Sequence, residues 1–74
     1  MKIKYDRSAN AAYIYLTAIG PGEVARTYPC DPLEVKGMIN LDFDKNGRLI
    51  GIEILDARSK LPPDLLSAGG TILI

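Results

Sequence analysis

Asp42, Asp44 and Glu53 come nearest, by type and spacing, to a chemical site in this chain. Asp42 and Glu53 sit at positions of matching parity on two strands, and Asp44 opens the turn between them, so Asp42 and Glu53 are expected on one hairpin face. Carboxylates placed together can hold a hard cation or divide acid and base roles. Turn formation explains Asp44 equally well, and solvent exposure on an alternating strand explains Glu53. The chain contains no histidine, which removes the commonest general base and metal ligand and with them serine-histidine and cysteine-histidine catalysis. Cys30 is the single cysteine and has no sequence neighbour that would lower its pKa. The expectation is therefore a chain without enzymatic activity, cofactor or metal site.

Lys2, Lys4, Tyr13 and Tyr15 offer a different chemistry. Basic residues interleaved with aromatics on a sheet can contact phosphates and stack on bases, and strand parity allows these four to share a face. Against a nucleic-acid role stands the charge balance, nine basic residues against nine acidic ones, which gives no field to attract a polyanion. Charge is uneven along the chain, with six acids between residues 31 and 56 set against Lys36, Lys45 and Arg48. Scattered charges of this kind are read as solvated strand faces. Gly20-Pro21-Gly22 and Gly69-Gly70 lack the lysine and helix of a phosphate loop and are read as chain breaks.

The elements that would position these residues are mostly strands. Lys2 to Asp6 alternates with Ile3 and Tyr5 on one side, and Asp6 to Asn10 is a turn rich in residues that bond their own backbone. Ala11 to Ala18 forms a second strand with Ala12, Ile14 and Leu16 inward, and Glu23 to Tyr28 a weaker third strand at an edge. Pro29, Pro32 and Gly37 mark an irregular connection. Gly37 to Leu55 is the strongest pattern. Two alternating runs flank Asp44-Lys45-Asn46-Gly47, and a four-residue loop with Gly47 in the left-handed region pairs Phe43 with Arg48, Leu41 with Ile50 and Ile39 with Ile52. Asp56 is placed to cap a helical turn through Lys60, and a second turn begins at Pro62 or Pro63 and runs through Leu66. Thr71 to Ile74 is an apolar tail that either adds a strand or stays free.

These elements define an α+β class: an antiparallel β-meander of four or five strands with a short C-terminal helical segment. Residues 1–61 form the sheet domain, and residues 62–74 form the helical turn and tail. The expected core is Ile3, Ile14, Leu16, Ile39, Leu41, Phe43, Ile50, Ile52 and Ile54. A chain of 74 residues buries only roughly 60% of its unfolded surface, so a partner subunit would add stability. A lone cysteine and the absence of a basic, apolar leader pattern point to the cytoplasm. No stretch approaches the roughly 18 apolar residues of a membrane span. Tyr13, Tyr15, Met38, Leu49 and Leu55 are too apolar for a face bathed in water. Together with Leu65 and Leu66 they are the expected contacts of a homodimer or of a heterologous protein partner.

Lys2-Ile3-Lys4-Tyr5-Asp6, Ala11-Ala12-Tyr13-Ile14-Tyr15-Leu16 and the block from Asp44 to Ala57 together resemble the small prokaryotic domain-of-unknown-function family numbered 2283, over most of residues 2 to 61. Asn10 and Ala12 stand where an acid and a larger aliphatic residue are expected in that family. The resemblance implies a small antiparallel sheet with a short C-terminal helix and supplies no catalytic residues. Such proteins are often encoded beside other short reading frames, including candidate toxins, so the resemblance implies an antitoxin-like protein interaction by association only. The expected function is thus a non-enzymatic interaction module that self-associates or binds a partner protein. A small-ligand or single-stranded nucleic-acid binder is the alternative.

Overall fold

Period-two alternation organises most of the chain into one antiparallel sheet. The computed structural model describes residues 1–67 and the backbone of Thr71–Leu73. Its strands are β1 (Lys2–Asp6), β2 (Ala11–Tyr15), β3 (Arg26–Pro29), β4 (Ile39–Phe43), β5 (Leu49–Leu55) and β6 (Thr71–Leu73), and its helices α1 (Pro32–Val35), α2 (Ala57–Lys60) and α3 (Pro63–Leu66). The class is α+β with a short C-terminal helical segment, as the patterning predicts. Strand order across the sheet is β3-β4-β5-β2-β1-β6. The order leaves a simple meander at two places: β2 lies beside β5, which puts β3 at an edge, and β6 lies beside β1. The Thr71–Leu73 part of the tail pairs antiparallel with β1, while Ile74 lies outside the described residues, as does the Gly69-Gly70 break.

The central hairpin differs from expectation in register. Leu41 faces Ile52, Ile39 faces Ile54 and Phe43 faces Leu49, with an irregularity between Asp42 and Phe43. The expected pairs Leu41 with Ile50 and Ile39 with Ile52 are displaced by two residues. An even displacement leaves every side chain on the same face, so parity could not detect it. The loop itself follows its residue types. The Asp44 carboxylate accepts the amides of Asn46 at 2.9 Å and Arg48 at 3.0 Å, and Gly47 takes φ +78°, a conformation that a Cβ would disfavour.

Three further differences have local causes. β2 stops at Tyr15 instead of continuing to Ala18, and β3 begins only at Arg26. The connection after Pro29 contains a helical turn, α1. Pro32 occupies the first turn, where its missing N–H costs nothing, and the Asp31 carboxylate accepts the Leu33 amide at 2.9 Å. At α2, Asp56 makes no side-chain cap. Asn10 supplies that function across 46 to 48 positions: its backbone oxygen accepts the Ala57 amide at 2.9 Å and its Oδ1 the Arg58 amide at 3.0 Å.

Packing divides the predicted core in two. Directly paired residues share a face, so Ile3, Ile14, Ile52, Leu41 and Tyr28 form one continuous cross-strand row. On the same face Tyr5 and Ala12 pack beneath Ala57 and Leu66, with Leu61 beside them. Ile3, Ile50 and Ile54 are buried. Ile14, Ile39, Leu41, Phe43 and Ile52 are only half-buried, and Leu16 is exposed. The reason is reach: α2 and α3 have four residues each, a length of about 6 Å at the usual helical rise, and cover only the Tyr5–Ala12 end. The molecule measures 33 × 30 × 19 Å.

Asn10 joins the two covered elements. It sits at φ +50°, a left-handed conformation that asparagine and aspartate tolerate better than most residues. Its Oδ1 also accepts the Tyr5 hydroxyl at 3.2 Å, and its Nδ2 donates to Asp56 Oδ1 at 3.0 Å. Asn10→Asp keeps the backbone preference, loses the donor and sets a second carboxylate against Asp56. The melting temperature at neutral pH is expected to fall by about 5–10 °C. The deficit should shrink below pH ~4, where one carboxyl regains a proton to donate. A melting series across pH checks both parts.

Candidate functional site

The polar side of the sheet gathers most of the sequence-derived candidates. Cross-strand pairing sets Lys4, Tyr13, Glu53 and Asn40 in one row and Lys2, Tyr15, Gly51, Asp42 and Thr27 in the next. Asp42, although an acid, is buried. The Tyr13 hydroxyl donates to its Oδ2 at 2.5 Å and the Thr27 hydroxyl to its Oδ1 at 2.6 Å. Asn40 Nδ2 donates to Glu53 Oε1 at 2.9 Å. The Tyr13 ring reaches Asp42 by lying over Gly51, where a Cβ would meet the phenol oxygen and come within 2.6 Å of Cζ. Tyr15 stands 4.7 Å from Tyr13 between ring centroids, and Lys2 Nζ lies 4.6 Å above the Tyr15 ring.

These contacts spend the face's chemistry internally. Each Asp42 oxygen already accepts a hydroxyl, so the carboxylate is not positioned as a free base. Burial, and then the Asp42 carboxylate that accepts its proton, hold the Tyr13 phenol well above the usual tyrosine value. Its proton stays on at neutral pH, which removes it as a nucleophile. The sign of the linkage follows. Stability from this group is complete below the unfolded tyrosine pKa of about 10 and is lost as pH rises beyond it, because only the unfolded chain releases the proton there. Tyr13→Phe is expected to cost about 1.5–3 kcal/mol at neutral pH, the range for a hydrogen bond to a charged group. It should also flatten the alkaline decline between pH ~10 and ~12. Urea titrations at several pH values, with phenolate absorbance followed in parallel, measure both.

The opposite side offers contact and no reactive group. Tyr28, Leu41, Ile52 and Ile14, with Ile39, Phe43 and Leu16 alongside, present aliphatic and aromatic side chains beyond the reach of α2 and α3. Arg26 lies over the Phe43 ring, 5.1 Å from its centroid, at the rim of this area.

A family model described as "Protein of unknown function (DUF2283)" matches residues 2–58. The chain belongs to this family. The match spans β1 to the second residue of α2 and ends before α3. No curated protein and no solved structure matches.

Within this DUF2283 domain the carboxylate candidates separate by role. Asp42 and Glu53 do share a face, while the Asp44 carboxylate is turned into its own loop. Among the described residues no group of three or more metal-ligating side chains converges, and no helix is long and apolar enough to cross a membrane. Cys30 is half-buried with a free thiol. Tyr13 and Tyr15 are half-buried in the polar network. Met38 and Leu49 are exposed, Leu55 and Leu65 are half-buried, and Leu66 is buried in the domain's own core against Tyr5, Ala12 and Ala57. Sequence reasoning missed Thr27 as the second donor to Asp42 and Gly51 as the slot for the Tyr13 ring. A glycine inside an apolar strand is a sign of close approach, and it was the available signal.

Proposed function

We propose that the domain is a non-enzymatic interaction module that associates with a second copy of itself through the uncovered half of its apolar sheet face. The observation that carries this reading is the row Tyr28–Leu41–Ile52–Ile14, apolar from β3 to β2, with Tyr28 exposed and the other three only half-buried. A face whose central row carries no charge is self-complementary, which suits the isologous contact of a two-fold dimer. Surface area supports the same occupant. The chain exposes 5058 Å², whereas a folded monomer of this mass exposes about 4,500 Å². Two copies hiding that excess would bury roughly 1,100 Å² in total, at the lower edge of stable interfaces.

Sedimentation equilibrium of the full chain tests the reading. Twice the 8.1 kDa chain mass, approached as concentration rises through the micromolar range, is the expected result. The chain mass alone at every concentration would rule out self-association.

A further inference from the structure

We propose that the cavity between the β1–β2 turn and the C-terminal helices is a binding site for a small amphipathic anion, a carboxylate or phosphate head on an apolar body. The cavity is about 460 Å³ and is lined by Tyr5, Arg7, Arg58, Pro63, Leu66 and Ser67, a volume within the usual range for small-molecule sites. Tyr5 and Leu66 are buried and give it an apolar floor. Two arginines line it and, among the described residues, no acid does.

The nearby carboxylates take their hydrogen bonds from other groups, although Asp56 also feels the Arg58 charge. Asp6 accepts the Ser8 hydroxyl at 2.8 Å, the Ser8 amide at 3.0 Å and the Ala9 amide at 3.2 Å. Asp56 accepts the Ser59 hydroxyl at 2.5 Å and Asn10 Nδ2 at 3.0 Å. Arg7 has no ion-pair partner among the described residues. Asn10 fixes the two arginine-bearing segments to each other, since it closes the turn that carries Arg7 and accepts the amide of Arg58 itself. The backbone positions of both guanidiniums are thus set before a ligand arrives, which lowers the ordering cost of binding. Guanidinium forks match the planar oxygens of carboxylate and phosphate. An inorganic anion alone would leave the floor unused, and a neutral apolar molecule would leave Arg7 without a counterpart.

The test is an amide-shift titration of the full chain with octanoate, octyl phosphate, acetate and octylamine. Saturable shifts at Tyr5, Arg7, Arg58 and Leu66 are expected with octanoate and octyl phosphate, and the stronger of the two identifies the head group. Acetate, lacking the body, should bind at least about tenfold more weakly, since its two carbons reach little of the floor. Arg7→Gln and Arg58→Gln are each expected to weaken octanoate binding by about 10- to 100-fold, the range for one charged hydrogen bond. Unchanged melting curves would show that these exposed substitutions leave the fold intact. Equal binding of octylamine, an absence of saturable shifts, or octanoate affinity unaffected by both substitutions would overturn the proposal. Shifts concentrated at Ile14, Leu41 and Ile52 would do the same, because they report adsorption to the apolar sheet face.

Discussion

Gly51→Ala should remove a large part of the domain's stability, although it adds one methyl group to an apolar strand. The added Cβ would occupy the place of the Tyr13 phenol, so the ring must leave and its bond to Asp42 is lost with it. Overpacking costs about 1–3 kcal/mol, and loss of a hydrogen bond to a buried charge about 1.5–3 kcal/mol, for a combined expectation of about 3–5 kcal/mol. A domain of this length has a total stability of roughly 4–11 kcal/mol. The urea midpoint of the variant should therefore fall by at least about a quarter. Adding Tyr13→Ala to Gly51→Ala removes the clash, and the double variant should lose less than the two single losses combined. A loss below about 1 kcal/mol for Gly51→Ala alone would mean that the ring does not rest on Gly51.

The second large effect concerns association. Leu41→Lys places an ammonium in the middle of the apolar row, opposite Ile52 and Tyr28. In an isologous contact each dimer carries the change twice. At about 1.5–3 kcal/mol per copy for a charge set into an apolar contact, the dissociation constant should rise by about 10²- to 10⁴-fold. Leu41 is only half-buried within one chain, and its stem can keep some packing while the ammonium reaches water. The monomer should therefore stay folded by circular dichroism. Tyr15→Lys on the polar face is the matching control and should leave sedimentation unchanged. If Tyr15→Lys dissociates the dimer and Leu41→Lys does not, the contact lies on the tyrosine face that the sequence alone suggests.

What the sequence revealed, and what it concealed, follows the range of each interaction. Alternation from Ile39 to Ile54 and the chemistry of Asp44 and Gly47 are local, and they gave the hairpin, its loop and its two faces. Register was harder, because a displacement of two residues preserves every face and only the irregularity at Asp42–Phe43 reveals it. The helical turns at Ala57–Lys60 and Pro63–Leu66 were legible from proline and capping chemistry. Their true cap was not, since Asn10 lies 46 positions or more away. The same distinction governs the site. Parity brought Tyr13, Asp42 and Glu53 to one face, but the burial of Asp42 depends on Thr27 and Tyr13 arriving from two other strands. The expected core was overestimated for a related reason. Hydrophobicity marks which face wants cover, whereas helix length decides how much cover it receives.

Isotope-filtered NMR on an equal mixture of labelled and unlabelled chains tests the dimer face most directly. Magnetisation transfer between chains is expected among the side chains of Ile14, Leu41 and Ile52, with none from Tyr13. Transfer confined to Tyr13 and Tyr15, or none at concentrations where the sample sediments as a dimer, would contradict a dimer built on the apolar row.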